Sequence, residues 1–312
     1  MEKQCNNAYD NVLIVKDKII MFIHFIFIFH LFCFVVVESV KKISISNIPN
    51  DQNFELIMVD HLSDLKFYVG SIHHNWVLEE EQGPLNVFIG ALKTKKDKCY
   101  ALDVGMNDGF YTMLFASHGC HVLSFELQTI CIDFAREALR ENKFNHLVTV
   151  LNAPVHNESG YLANIGVPVH GKCLGGFDIA GALNRKMNFK TTPRVYATIA
   201  LDTIVPPNVF VDVVKIDVEG HEIDVLQGSR RLFMNHQIGV AVIEININFW
   251  TLDKDTSLSV LRDIMSYNYS VRPATCAKGS LNLFRDLHTF DDLYHQLYTD
   301  GDCVDFEFRL NV

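Results

Sequence analysis

Asp103 to Tyr111 reads DVGMNDGFY and directly follows the apolar run Tyr100-Ala101-Leu102. An apolar strand ends there in a carboxylate. A loop with glycines at 105 and 109 comes next, then the amphipathic stretch Tyr111 to Ser117. Strand, Gly-rich turn and helix N-terminus make a place where backbone can approach a ligand closely. The spacing excludes the usual dinucleotide fingerprint, which needs G-x-G-x-x-G; Gly105 and Gly109 form only G-x-x-x-G.

An acid two residues before the first glycine would repel a pyrophosphate. It suits a cationic ligand with an amino group, and S-adenosylmethionine carries both a sulfonium and an α-amino group. A second strand, Val122-Leu123-Ser124-Phe125, ends in Glu126, seventeen residues beyond Gly109. At about that distance doubly wound folds place an acid that accepts from ribose hydroxyls. A third strand, within VDVVKIDVEGHE at Val211 to Glu222, is a near-continuous β-branched run, as expected of a strand buried on both faces. It ends in Asp217-Val218-Glu219-Gly220-His221 and enters a helical pattern at Ile223, Leu226, Arg230 and Phe233.

Together these segments resemble the FkbM-type methyltransferase family. The matching pieces are DVGMNDGFYT, SFE at Ser124 to Glu126, VTVLNAPV at Val148 to Val155, ALD at Ala200 to Asp202, VVKIDVEGHEIDVLQG at Val213 to Gly228 and VIEI at Val242 to Ile245. They occur in order over roughly residues 98–245. Two positions depart from the family pattern: Leu127 stands where proline usually follows the ribose-binding acid, and Pro154 stands where a small residue is usual. The resemblance implies O-methylation of a small molecule or a sugar.

The strand–helix alternation implies an α/β domain with a doubly wound, Rossmann-like sheet, mostly parallel. Its strands are expected at Cys99–Val104, His121–Phe125, Leu147–Leu151, Val195–Ala200, Val211–Ile216 and Val240–Ile245. Helices are expected from Gly109, over Thr129–Phe144, after Gly220 and over Leu258–Tyr267. An antiparallel pair, Tyr269–Arg272 with Leu281–Phe284, closes the sheet. Asn164 to Arg194 holds five glycines and reads as an irregular substrate loop or a disordered one. Residues 53–97 read as a cap, strand-like at Phe54–Val59 and helical near Trp76–Leu92 with a break at Gly83-Pro84. Residues 98–312 form the FkbM-like domain.

Within that frame Asp103, Gly105, Asn107, Gly109, Glu126 and Asn152 are the candidate cofactor contacts. Methyl transfer from a sulfonium is an in-line displacement, so the acceptor must be held near the methyl and a hydroxyl acceptor must lose its proton. Asp217, Glu219 and His221 are the candidate acceptor-side residues, with His221 as general base because its unperturbed pKa is near 6.5. A different class is the alternative: a type II membrane glycosyltransferase with Asp217 and Glu219 holding a divalent cation against a sugar diphosphate. A non-catalytic scaffold on the same fold is a third possibility.

The 312 residues carry a formal net charge of −10, with 49% hydrophobic and 21% charged residues. No block of five like charges is present, which argues against a nucleic-acid partner. Ile19 to Val37 is a 19-residue stretch with no formal charge, long enough to span a bilayer as a helix. It is expected to anchor the protein in a membrane in a single pass. Residues 1–18 would form a polar tail and residues 38–52 a stem. A cleaved signal peptide is the alternative. Lysines flank both ends, so charge does not choose the orientation; the expected placement is the endoplasmic reticulum or Golgi with the domain lumenal. Eight cysteines include no C-x-x-C, and no metal site is expected. Cys131 falls on the apolar face of a helix and reads as core packing. Sequons stand at Asn157 and Asn268.

Overall fold

The computed structural model describes residues 42–44, 55–59, 67–70, 82–93, 95, 98–168, 173, 191–248, 250–276, 286–300 and 303–311. These belong to one unit, Val40–Val312. The expected anchor Ile19–Val37 lies outside the described residues, and among those residues no helix is long and apolar enough to cross a membrane.

Strands β1 (Lys42–Ser44), β2 (Glu55–Val59) and β3 (Phe67–Gly70) make a small antiparallel sheet. Helix α1 (Gln82–Leu92) follows. Gly83 and Pro84 lie within this helix near its first described residue, and proline in a first turn sacrifices no intrahelical hydrogen bond. The expected helical residues 76–81 lie outside the described residues.

The central unit then alternates strand and helix. In chain order it comprises β4 (Cys99–Val104), α2 (Phe110–Ser117), β5 (Cys120–Phe125), α3 (Thr129–Asn142) and β6 (Val148–Leu151). A hairpin follows, β7 (Leu162–Pro168) with β8 (Thr191–Ala197), and then α4 (Leu201–Ile204). Next come β9 (Val211–Ile216), α5 (Glu222–Gln227), α6 (Arg230–Met234), β10 (Ile238–Glu244) and α7 (Lys254–Ser266). Strand β11 (Tyr269–Cys276), α8 (Phe290–His295) and β12 (Cys303–Leu310) complete the chain.

The seven-stranded sheet runs β11-β12-β10-β9-β4-β5-β6. From β10 to β6 every neighbour pairs in parallel, and only β12 runs opposite to its neighbours β10 and β11. The expected mostly parallel sheet is therefore present. Its antiparallel partner for β11 is Cys303–Leu310, inserted between β11 and β10; Leu281–Phe284 lies outside the described residues. The strand expected at Val195–Ala200 also differs. It forms as Thr191–Ala197 and pairs with β7 in a separate two-stranded sheet, so both ends of the expected irregular segment are ordered strands. Most of β8 is exposed, which explains why it could not occupy a central position.

All six residues of β9 are buried, as its β-branched run requires. One face of the sheet packs under α1, α2 and α3 through Phe88, Phe115 and Phe134. Phe88 meets Tyr111 and Phe115 edge-on, with centroids 5.4 and 4.9 Å apart. The other face carries Val214, Leu226, Phe233 and Leu261 under α5, α6 and α7. Helix α7 begins four residues before the expected Leu258, because Asp253 caps it by accepting from the Thr256 N–H at 3.0 Å.

The chain winds from β4 outward through β5 to β6, then returns to place β9 on the other side of β4. The carboxyl ends of β4 and β9 thus flank the point where the winding reverses, the usual crevice for a ligand in an open α/β sheet.

Candidate active site

Asp103 sits at the end of β4 and is fully buried. Its Oδ2 accepts from Thr112 Oγ1 at 2.6 Å, and Thr112 shares a further hydrogen bond with Ser124 at 2.7 Å. Its Oδ1 is buried with no hydrogen-bond partner among the described residues. Burial pushes the carboxyl above its ordinary range, while the Lys215 charge and the Thr112 bond pull it partly back. A buried carboxylate oxygen without a donor is costly, so it suits a ligand that brings one.

The loop after Asp103 is stitched to both neighbouring strands. Gly105 and Met106 donate to the Phe125 carbonyl at 3.1 and 2.9 Å. Gly105 has φ +85°, and a Cβ there would lie 1.8 Å from the Asp217 carbonyl oxygen. The sequence assigns this glycine to close approach by a ligand; in the fold it admits the backbone of the β9 loop. Gly109 (φ +94°) opens α2, and its Cβ would meet the Ala135 methyl at 3.1 Å, so it serves α2–α3 packing. Asn107 adopts φ +53°, and its N–H donates to Glu126 Oε2 at 2.8 Å.

Glu126 also accepts from the N–H groups of Leu127 and Gln128 at 2.8 and 2.7 Å through Oε1. Burial raises its carboxyl and these three backbone bonds oppose the rise. A carboxylate has about four acceptor positions, so three backbone donors leave room for one more. Asn152 is exposed and donates to the carbonyls of Glu126 and Leu127 at 2.8 and 3.1 Å. Tyr196 of the hairpin donates to the same Leu127 carbonyl at 3.3 Å. Asp103, Gly105, Asn107, Gly109, Glu126 and Asn152 are thereby gathered at the carboxyl ends of β4, β5 and β6.

The three acceptor-side candidates separate into two groups. Asp217 and Glu219 draw together with Glu244 from the end of β10, their ligand atoms within 4.8 Å of one another. Burial, then the charge of Asp217, its hydrogen bond and the charge of Glu219, push Glu244 up to about 11. Lys215 answers this charge: its Nζ donates to Asp217 Oδ2 at 2.9 Å and to the Gly105 carbonyl at 2.8 Å. Its ammonium also lies 5.8 Å from the Tyr111 ring centroid. His221 belongs to the other group, with Nδ1 3.1 Å from Asp224 Oδ2 and Thr251 and His156 beside it. Glu222 is 1% exposed and accepts from the N–H groups of Val218 and Gly220 at 3.1 and 3.0 Å, holding Glu219 and Gly220 at positive φ. Burial pushes its carboxyl up to about 7.

Lys215, Glu244, Glu222 and His156 were not singled out from the sequence. Lys215 had a visible signal, a lone cation inside a β-branched run. His156 had none, because its partners lie far along the chain.

Two disulfides brace the region. Cys99–Cys120 joins the starts of β4 and β5, and Cys131–Cys173 ties α3 to the segment between β7 and β8. Cys131 is buried in the core, as its helical position implies, but it is cross-linked and not a plain packing thiol. Cys173 Sγ lies 2.8 Å from Asn107 Oδ1; a disulfide sulfur has no hydrogen to donate, so this is a close contact.

The Methyltransferase FkbM domain matches residues 103–271. No curated protein matches the chain. Among solved structures it is similar to methyltransferase FkbM from Methylobacillus flagellatus KT, at 16% identity and a TM-score of 0.40, covering 69% of this chain and 45% of that one. The chain thus spans less than half the length of that protein. It is also similar to an rRNA methylase from Streptococcus thermophilus (11% identity, TM-score 0.40, 74% of this chain and 98% of that one). A third is the N-terminal domain of human METTL16 in complex with SAH (13% identity, TM-score 0.32, 56% of this chain and 57% of that one).

Proposed function

The chain belongs to the FkbM methyltransferase family, and on that footing we propose that it methylates a hydroxyl group on a small molecule or glycan, using S-adenosylmethionine. The observation that carries this reading is the buried Asp103 Oδ1, unpaired among the described residues, at the sheet's reversal point. The residues present fit the cofactor: Asp103 would take its amino group, Glu126 a ribose hydroxyl, and the backbone from Gly105 to Gly109 would flank it, with Asn107 and Asn152 at its edges. When bound, S-adenosylmethionine supplies an electrophilic methyl on a sulfonium, which departs as a neutral thioether.

The acceptor lies toward Asp217, Glu219 and His221 in this reading. A hydroxyl acceptor held there would give up its proton to Nε2 of His221. The Nδ1 contact with Asp224 orients the ring for that role. Asp217, tied to Lys215, orients the acceptor or the cofactor amine.

One feature supports the glycosyltransferase alternative: Asp217, Glu219 and Glu244 form a three-carboxylate group. Against it, Lys215 already places a cation on Asp217. The two readings separate in a titration of the full chain. Metal-independent binding of S-adenosylmethionine, followed by transfer of labelled methyl to hydroxyl-bearing extracts, supports methylation. Manganese-dependent binding of a nucleotide sugar without binding of S-adenosylmethionine overturns it.

The same reading includes a membrane anchor at residues 19–37 and a domain facing an oxidising compartment, the endoplasmic reticulum or Golgi lumen. Two disulfides support that placement.

A further inference from the structure

His156, His221 and Asp224 come from two distant parts of the chain and converge beside α5. Their ligand atoms all lie within 4.8 Å of one another. His221 precedes α5 and Asp224 stands one turn on, so an i, i+3 relation points both the same way. His156 is held by its backbone: its N–H donates to the Ile199 carbonyl at 2.9 Å, and a Cβ on Gly228 would lie 2.1 Å from its carbonyl oxygen. The chain after β6 is thus pressed against the end of α5, and the three side chains sit on fixed backbone.

The hydrogen bonding of His156 orients it as a ligand. Its Nδ1 lies 2.7 Å from Asn157 Oδ1, and the Asn157 amide is itself set by Nδ2, which donates to Gln227 Oε1 at 3.3 Å. An amide oxygen only accepts, so Nδ1 carries the hydrogen and Nε2 is the ring nitrogen left to bind a cation. Nε2 faces Asp224 Oδ1 at 3.7 Å. A ring nitrogen and a carboxylate oxygen facing each other are bridged by a cation, either a proton on the ring or a metal ion. An outer partner that fixes the tautomer of a ligating histidine is the usual arrangement around a metal.

We propose that His156, His221 and Asp224 bind a divalent transition-metal ion of the zinc class. Bonds of about 2.0 Å in a tetrahedron put ligand atoms about 3.3 Å apart. His221 Nδ1 stands 3.1 Å from Asp224 Oδ2 and His156 Nε2 3.7 Å from Asp224 Oδ1, so each imidazole meets its own carboxylate oxygen at close to that spacing. Two imidazoles and one carboxylate select zinc or its neighbours over magnesium or calcium, which take oxygen ligands. The Asp224 side chain is 5% exposed and each imidazole 29%, so the site opens to solvent on the imidazole side, where a fourth ligand enters. Burial raises the Asp224 carboxyl, but the hydrogen bond from His221 and the charges of both histidines outweigh it and hold the group below its ordinary range.

Coordination through Nδ1 leaves the hydrogen of His221 on Nε2, and the ring can then no longer accept a proton there. Zinc is therefore an inhibitor of methyl transfer. This consequence rests on His221 being the base; the binding itself does not.

The test uses the full chain, stripped with a chelator and titrated with cobalt(II), then zinc(II). One equivalent of cobalt should give the intense visible bands of a tetrahedral site and be displaced by zinc. His156→Ala and Asp224→Asn should each weaken zinc binding on the order of 100-fold. Asn157→Ala should weaken it about 10-fold, acting only through His156. Matching far-ultraviolet circular dichroism shows that each variant is folded, and His156→Gln replaces His156→Ala if that variant is not. A cobalt spectrum like that of the free aquo ion, or unchanged affinity in the folded His156 variant, overturns the site. Tight zinc binding without inhibition keeps the site and removes His221 as base.

Discussion

Replacing Gly105 by alanine tests how the two strand-end loops are joined. The new Cβ would stand 1.8 Å from the Asp217 carbonyl oxygen and 2.9 Å from its carbon, so backbone has to move. Two costs add. Holding a non-glycine residue at φ +85° costs about 1–2 kcal/mol. Forcing apart packed backbone costs about 1–3 kcal/mol more. Gly119 provides the control, with φ +82° but nothing within 4 Å of its would-be Cβ, so Gly119→Ala carries the first cost alone. At roughly 2–4 °C per kcal/mol for a domain of this size, Gly105→Ala should lower Tm by roughly 4–20 °C and Gly119→Ala by roughly 2–8 °C. Thermal unfolding followed by circular dichroism reads the difference, with calorimetric titration of S-adenosylmethionine alongside. Equal Tm losses in the two variants would refute the account, since the Asp217 carbonyl would then yield freely. A Gly105→Ala protein of wild-type stability that has lost cofactor affinity would return this glycine to the ligand.

Asp103→Ala should weaken S-adenosylmethionine binding by roughly 10- to 150-fold, from the loss of one charge-assisted hydrogen bond of about 1.5–3 kcal/mol. Thr112 keeps Ser124 as a partner, so the fold should persist, and unchanged calorimetric affinity counts against the assignment. Glu244 is raised from 4.5 to about 11, so the folded chain holds a proton that the unfolded chain releases, and stability falls as pH rises through that window. The limiting slope is about 1.4 kcal/mol per pH unit; Glu244→Gln should flatten it and stabilise the protein near about pH 8. Denaturant unfolding at about pH 5 and about pH 8 checks this, and a variant less stable than wild type at the higher pH contradicts it. His221→Gln should lower kcat by about 10²–10⁴ with cofactor affinity unchanged. If Glu219→Gln abolishes activity while His221→Gln does not, the base is misassigned. In a membrane fraction, the chain should resist carbonate extraction through residues 19–37, and recovery in the supernatant with a new N-terminus near Lys41 would indicate a cleaved signal.

The strand–helix alternation and the acids at strand ends were legible without coordinates, because both are local. A β-branched run such as Val211–Ile216 declares a buried strand by composition, and Asp103, Glu126 and Asp217 mark where each apolar run stops. Periodicity likewise placed α3 and its buried stripe. The insertion of Cys303–Leu310 between β11 and β10 was not legible, because strand pairing depends on partners far apart in sequence. The hairpin of β7 and β8 escaped for a related reason: exposed strands carry little hydrophobic pattern. The purpose of Gly105 needed the third dimension as well, since the atom that forbids a side chain there belongs to Asp217. The chain alone therefore named the groups at the sheet's edge. Tertiary structure decided their neighbours: Lys215 against Asp217, Glu244 among the acids, and His221 with Asp224 and His156. Charge and burial act through space, and residues distant in sequence supply most of both.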